Sequence, residues 1–215
     1  MQTIQEIGMY TPPAFAVEDR HEIHALIQTD GLATFVTATP EGPIATPLPM
    51  ALDEKEGEYG TLYAHLARAN PHWRLPVLGD ALVIFSGPDA YVSPSWYASK
   101  AEHHRVVPTW NYEMVQAQGP VEFFDDPERL RAVVSRLTNR HEAGRSVPWS
   151  IADAPGPFIA AQLRGIVGLR IPITRLTAKR KMSQNRSTLD RAGVRAGLTE
   201  SARPMDREVA ERIPL

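Results

Sequence analysis

The chain has 215 residues, 43% of them hydrophobic and 22% charged, and no cysteine. It is long enough to bury a sizeable core unstapled, and a disulfide framework, a thiolate metal site and a cysteine nucleophile are excluded. No stretch stays apolar for the roughly 20 residues of a membrane span, and the opening MQTIQEIGMY lacks the basic and apolar regions of a secretory signal, so a cytoplasmic protein without a membrane segment is expected. The net charge of −2 hides an asymmetry: from Arg164 onward there are 12 Lys/Arg against 5 Asp/Glu, leaving the rest of the chain near −9, which reads either as a solvated basic segment or as an anion site.

In chain order, Ile23, Leu26 and Ile27 give a helical stripe within 17–29. Leu32–Thr39 and Ile44–Leu52 are rich in β-favouring residues and flank Pro40-Glu41-Gly42-Pro43, a hairpin signal with a four-residue loop. A polar turn over 53–60 precedes a strand at Thr61–Leu66, and 81–86 and 90–93 read as two strands joined across Gly87-Pro88-Asp89. Thr109–Phe124 reads as one extended strand bent at Gly119-Pro120. A helix follows, with Asp126 as N-cap, Pro127 at its first position and Leu130, Val133, Val134 and Leu137 at helical spacing. A short helix over 158–163, a strand over 166–177 and an Arg/Asp-mixed helix over 188–197 complete the reading. Six or seven antiparallel strands with helices outside the run point to a mainly β barrel decorated by helices. Repeats, a P-loop and a G-x-G-x-x-G after a strand are absent.

Four segments have an inventory suited to chemistry. In Tyr63–Trp73 a strand enters a turn of small residues holding Arg68 and Asn70, where a guanidinium can hold a phosphate bidentately, or simply stand in solvent. Ala45-Thr46-Pro47-Leu48-Pro49 leaves gaps in the strand's donors, so it can offer backbone to a ring or serve as a protected edge. Trp96, Tyr97, Trp110 and Tyr112 can wall a flat-ring pocket, with Asn111 as a hydrogen-bond partner, or form an aromatic core. Lys179-Arg180-Lys181-Met182-Ser183-Gln184-Asn185-Arg186 is a donor set for an anion, or a solvated linker. The seven histidines form no zinc-site pattern, and Ser93 and Ser95 lack the G-x-S-x-G context of a hydrolase.

Taken together, Met9-Tyr10-Thr11-Pro12-Pro13-Ala14-Phe15, Ala45–Pro49, His65–Trp73, Tyr91–Tyr97, Val107–Tyr112 and Lys181–Arg186 resemble, in order, the landmarks of the PaiB family. The resemblance covers about residues 9–195. It implies a homodimeric FMN-binding split barrel related to pyridoxamine-phosphate-oxidase-like flavoproteins, with the flavin at the dimer interface. It also implies residues 1–8 as an N-terminal extension, 9–198 as the split-barrel domain and 199–215 as a C-terminal tail. By matching, Arg68 and Asn70 sit at the phosphate end, the backbone of Thr46, Pro47 and Leu48 lines the ring edge, and His65 is near the ring. Trp110, Asn111, Lys181 and Gln184 contribute from the same or the partner subunit. The polar loop 98–107, with His103, His104 and Arg105, departs from the family pattern and puts access to the pocket in question.

The family implies a negative transcriptional regulator whose activity depends on flavin binding or redox state. A flavin-dependent NAD(P)H oxidoreductase of the pyridoxamine-phosphate-oxidase-like group is the alternative, and haem in the same pocket a third. DNA is a possible partner through the seven cations between Arg175 and Arg195, opposed by Asp190 alone, although no helix-turn-helix pair stands out.

Overall fold

A computed structural model describes residues 8–29 and 31–215; the expected extension falls outside them except for Gly8. The strands are β1 (Ala16–Val17), β2 (Ala33–Thr39), β3 (Gly42–Leu48), β4 (Ala51–Asp53), β5 (Thr61–Ala67), β6 (Ala81–Val92), β7 (Thr109–Gly119), β8 (Glu122–Phe124), β9 (Ile166–Pro172) and β10 (Arg175–Lys181). The helices are α1 (Arg20–Thr29), α2 (Ser99–His103), α3 (Pro127–Glu142), α4 (Gly156–Leu163), α5 (Thr188–Thr199) and α6 (Pro204–Arg212). Hydrogen bonding gives a six-stranded sheet in the order β1-β10-β7-β6-β2-β3 and a four-stranded sheet in the order β4-β5-β9-β8. The mainly β, helix-decorated class expected from the sequence is what forms, with ten strands among the described residues; 81–86 and 90–93 are joined in one strand, β6, while 109–124 and 166–177 are each split in two.

The chain divides into two compact units. The larger comprises His24–Phe85 and Gln116–Leu176. Its β2–β3 hairpin pairs Thr39 with Gly42, so the loop is the two residues Pro40-Glu41 rather than four; Gly42, at φ 117°, adopts a conformation that a side chain would strain. Pro49 ends β3, and 51–53 pairs instead with β5 as a separate strand. The helix α3 starts where its N-cap predicts, with the Asp126 side chain accepting from Arg129 N. Leu130, Val133 and Leu137 of α3 pack with Ile159 and Leu163 of α4 and with Ala51 and Phe124.

The smaller unit comprises the described residues up to Ile23, together with Ser86–Val115 and Thr177–Leu215. The run 179–181, weighed as a linker, is the end of β10, and β1 pairs with it. The segment expected as a C-terminal tail carries α6, whose Val209 and Ala210, with Ile213 beyond, join Val194 and Leu198 of α5 in a core shared with Ala90, Val92, Tyr97 and Met182. Trp96 lies across α5 at Gly193 and Gly197: a Cβ at 197 would stand 2.3 Å from the indole, and one at 193 would stand 2.0 Å from the Trp96 carbonyl oxygen. The loop 98–107 contains α2, tied to α5 by the Asp190 carboxylate, which accepts from Ser99 N at 2.9 Å and Ser99 Oγ at 3.0 Å.

Candidate functional site

In the larger unit the hairpin β2–β3 and the turn after β5 build a polar cluster. β3 ends the six-stranded sheet and, among the described residues, is paired only with β2. Proline has no N–H, so Pro43 and Pro47 belong at positions facing away from β2, where no ladder bond is lost. Antiparallel pairing directs both backbone groups of a residue to the same side, with alternate residues facing opposite ways. The outward backbone groups are therefore those of Pro43, Ala45 and Pro47, while Ile44, Thr46 and Leu48 turn theirs toward β2. This refines the expectation that the backbone of Thr46, Pro47 and Leu48 forms one edge.

Below this edge sits His72, fully buried and stacked on Phe35 with ring centroids 4.6 Å apart. Its Nε2 lies 2.8 Å from Thr37 Oγ1 and its Nδ1 lies 2.8 Å from Thr46 Oγ1. Asn70 completes the cluster: its Oδ1 accepts from His72 N at 3.0 Å, and its Nδ2 donates to Thr46 Oγ1 at 3.3 Å. Burial holds the His72 imidazole below its usual pKa, so it is neutral. Thr46 and Asn70, two of the expected residues, are thus brought into direct contact.

Arg68 is engaged elsewhere. Its Nε donates to Arg164 O at 2.8 Å and one terminal nitrogen to Ile166 O at 3.2 Å, while the other faces Asp125 at 3.4 Å. A cleft of ≈640 Å³ opens beside it, with Arg131, Arg164, Leu130 and Leu163 among its walls. His65, on β5 opposite Gly168, has a buried Nδ1 with no hydrogen-bond partner among the described residues, and burial lowers its pKa.

The expected residues of the smaller unit form a second group. Asn111 is fully buried and pairs both ends of its amide with Ser183: Nδ2 donates to Ser183 Oγ at 3.0 Å and Oδ1 accepts from it at 3.2 Å. Gln184 closes its own turn, accepting from Met182 N at 2.6 Å and donating to Arg180 O. Lys181 Nζ donates to Thr109 Oγ1 at 2.6 Å and to Trp110 O. Two of its three protons are thereby used, and burial, helped by Lys179 and Arg186, depresses its pKa. Trp110 is half-exposed, donates Nε1–H to Asp89 Oδ1 at 2.8 Å and meets Tyr91 edge-on. Of the four aromatics weighed as pocket walls, Tyr97 lies in the core and Trp96 lies on α5, so Trp110 offers the most open ring face.

Sequence reasoning passed over His72, a member of the His65–Trp73 motif. Its role depends on a strand pairing that brings Thr37 and Thr46 to opposite sides of one ring. The visible signal is a histidine five residues past the end of β5, downstream of a hairpin carrying threonine in both arms.

The fold is that of flavin-binding split-barrel-like proteins. The FAD- and haem-binding protein of Mycobacterium smegmatis is similar, with a TM-score of 0.55 and 18% identity over 77% of this chain and 73% of its own. The flavocytochrome Anf3 of Azotobacter vinelandii likewise has a TM-score of 0.55, with 16% identity over 77% of this chain and 69% of its own. Residues 9–175 match the family described as "Putative FMN-binding domain". Protease synthase and sporulation protein PAI 2 of Bacillus subtilis is 33% identical over 204 residues, covering 94% of this chain and 95% of the relative. The chain belongs to this FMN-binding family and is of the PaiB type that its motifs resemble, and its cofactor is FMN.

The larger unit's donor set fits that cofactor. A flavin presents ring carbonyls, ring nitrogens, ribityl hydroxyls and a phosphate; the edge of β3 offers backbone groups at Ala45 and Pro47, and Thr46 and Asn70 offer side-chain polar groups beside it. These residues would bind and orient the cofactor. When bound, FMN supplies electron or hydride transfer that no side chain of the cluster can perform.

Proposed function

We propose that this chain is a homodimeric, FMN-binding negative regulator of transcription whose output follows flavin binding or redox state. The observation that carries the reading is the near full-length match to the Bacillus subtilis relative, whose name refers to protease synthesis and sporulation. On the larger unit, Thr46 and Asn70, with the outward β3 backbone at Ala45 and Pro47 and with His65 and Arg68 nearby in sequence, are the proposed FMN contacts; the Leu48 backbone, turned toward β2, is not among them. On the smaller unit, Trp110 and the remaining proton of Lys181 have capacity left for a ligand, whereas the Asn111 and Gln184 amides are already paired.

In this reading, regulation works without a basic strip on β10. Lys179 donates to Tyr10 O, Arg180 pairs with Glu22 and Glu113, and Lys181 is held by Thr109 and Trp110. Arg180, offset by two carboxylates, has little charge left for DNA, and the two lysines are held by local acceptors. The proposed route to transcription is therefore through a protein partner or through flavin chemistry, and a gel shift with the protein's own promoter should give no salt-sensitive complex.

An absorption spectrum of the purified protein with and without FMN tests the first half of the proposal. A colourless protein that leaves FMN fluorescence unquenched at micromolar concentration overturns it. A promoter reporter comparing wild type with Asn70→Ala tests the second half, and equal repression by a flavin-free variant removes flavin control.

A second reading, a flavin-dependent NAD(P)H oxidoreductase, draws on the fold likeness to the flavocytochrome. Rapid bleaching of bound flavin by NADPH over many turnovers would favour it.

A further inference from the structure

The hydroxyls and ring nitrogens around His72 can share their protons satisfactorily in only one way. Thr37 is fully buried, and among the described residues its hydroxyl meets no partner but His72 Nε2. If Nε2 carried the ring proton, the Thr37 hydroxyl proton would be buried with no acceptor, a costly omission for a donor shut away from water. Thr37 must then donate to Nε2, and the ring proton of the neutral imidazole sits on Nδ1. That proton points at Thr46 Oγ1, 2.8 Å away. Asn70 Nδ2 also donates to Thr46 Oγ1, at 3.3 Å, and the orientation of its amide is set independently by Asn70 Oδ1 accepting from His72 N. Both acceptor sites of the Thr46 oxygen are therefore filled from inside the protein. Its own proton has no acceptor within the cluster.

We infer that His72 is a positioning residue that fixes the Thr46 hydroxyl as an obligate hydrogen-bond donor to the bound flavin, so that this point of the site selects an acceptor atom and rejects a donor. The inference rests on the FMN reading for the identity of the ligand, while the proton arrangement belongs to the protein alone. The acceptor it serves is a flavin ring atom, a ribityl oxygen or a phosphate oxygen, all of which present lone pairs. His72 itself never reaches the ligand.

The test has two arms. In the first, 15N-histidine-labelled protein without added ligand is studied by long-range 1H–15N NMR at neutral pH; His72 is assigned through its loss in His72→Gln. A ring protonated on Nδ1 is expected, and one protonated on Nε2 overturns the inference whatever the ligand. In the second, FMN and riboflavin are titrated into wild type, Thr46→Ser and Thr46→Val, with melting temperature measured in parallel. Thr46→Val should weaken FMN about three- to tenfold, with Thr46→Ser near wild type. A matching loss for riboflavin puts the acceptor on the ring or ribityl chain, and a loss confined to FMN puts it on the phosphate. Unchanged FMN affinity in a folded Thr46→Val protein overturns the donor role. If wild type itself binds no flavin, the FMN assignment falls while the tautomer still decides the proton arrangement.

Discussion

The side-chain carboxylate of Glu113, only 1% exposed, accepts a hydrogen bond from the Arg212 guanidinium at the end of α6, and Arg180 grips its other oxygen. A buried carboxylate between two arginines is costly to unpair, because desolvation has already been incurred and only the partners offset it. Arg212→Met should therefore destabilise the protein by about 3 kcal/mol, near the lower end for breaking a buried pair, since Arg180 remains. Glu208→Ala, which removes only an exposed partner of Arg212, should cost within about 0.5 kcal/mol. Urea unfolding of both variants checks the contrast, and equal small losses would mean that Glu113 is adequately served by Arg180.

The contact between Trp96 and α5 gives a second expectation. Gly193→Ala forces a methyl against the Trp96 backbone, and Gly197→Ala forces one against its indole. Overpacking of this kind costs about 1–3 kcal/mol. The two sites differ in what can yield, since a side chain can be trimmed and a backbone carbonyl cannot. Trp96→Ala should therefore recover stability in the Gly197→Ala background but not in the Gly193→Ala background. Thermal melts of the two double variants against their parents decide the matter.

Local signals were legible and non-local ones were not. The N-cap and proline of α3 were readable because each is set by residues adjacent in sequence, whereas Gly119-Pro120, read as a bend in one strand, ends β7, and β8 joins the other sheet. Gly87-Pro88 reads as a turn, yet β6 runs unbroken through it; on the facing strand, the Glu113 Cβ stands 3.0 Å from where a Gly87 Cβ would be, and only that packing reveals why glycine is there. The basic run 179–181 resembled an anion site because its partners, Tyr10, Glu22, Glu113, Thr109 and Trp110, are scattered over the chain. The helix α6 did leave a trace: proline at its first position, then Met205, Val209 and Ile213 four residues apart. Of the candidate site, motif matching found Thr46 and Asn70, while His72 needed the register of β2 against β3.

Arg68 distinguishes a structural from a ligand-holding arginine. Its bonds to the Arg164 and Ile166 carbonyls join the turn after β5 to the start of β9. Removing charged donors from two carbonyls, one exposed and one part-buried, costs about 1 kcal/mol or more, so Arg68→Ala should lower the unfolding midpoint. If the guanidinium also holds the FMN phosphate, the variant should weaken FMN much more than riboflavin. If its role is only to tie the turn, both ligands should weaken by the same small factor. Paired titrations of FMN and riboflavin, read with the melting curves, separate the two roles.

The buried imidazoles set how stability responds to acid. His72 and His65 both have pKa values pushed below the usual imidazole value by burial. In the unfolded chain they take up protons as the pH falls through about 6.5. In the folded protein they resist until lower pH, so over that window the unfolded state binds more protons and stability falls with falling pH. The contribution is fully present above the unfolded value and is lost progressively as pH drops toward the folded one. Protonating His72 also gives its ring two donors facing Thr37 and Thr46, which deprives the Thr37 hydroxyl of its acceptor. Stability measured by urea unfolding should therefore decline between pH 7 and pH 5, and His72→Gln, less stable at pH 7, should show a shallower decline. A parallel slope in wild type and variant would assign the acid sensitivity to His65 or to the carboxylates instead.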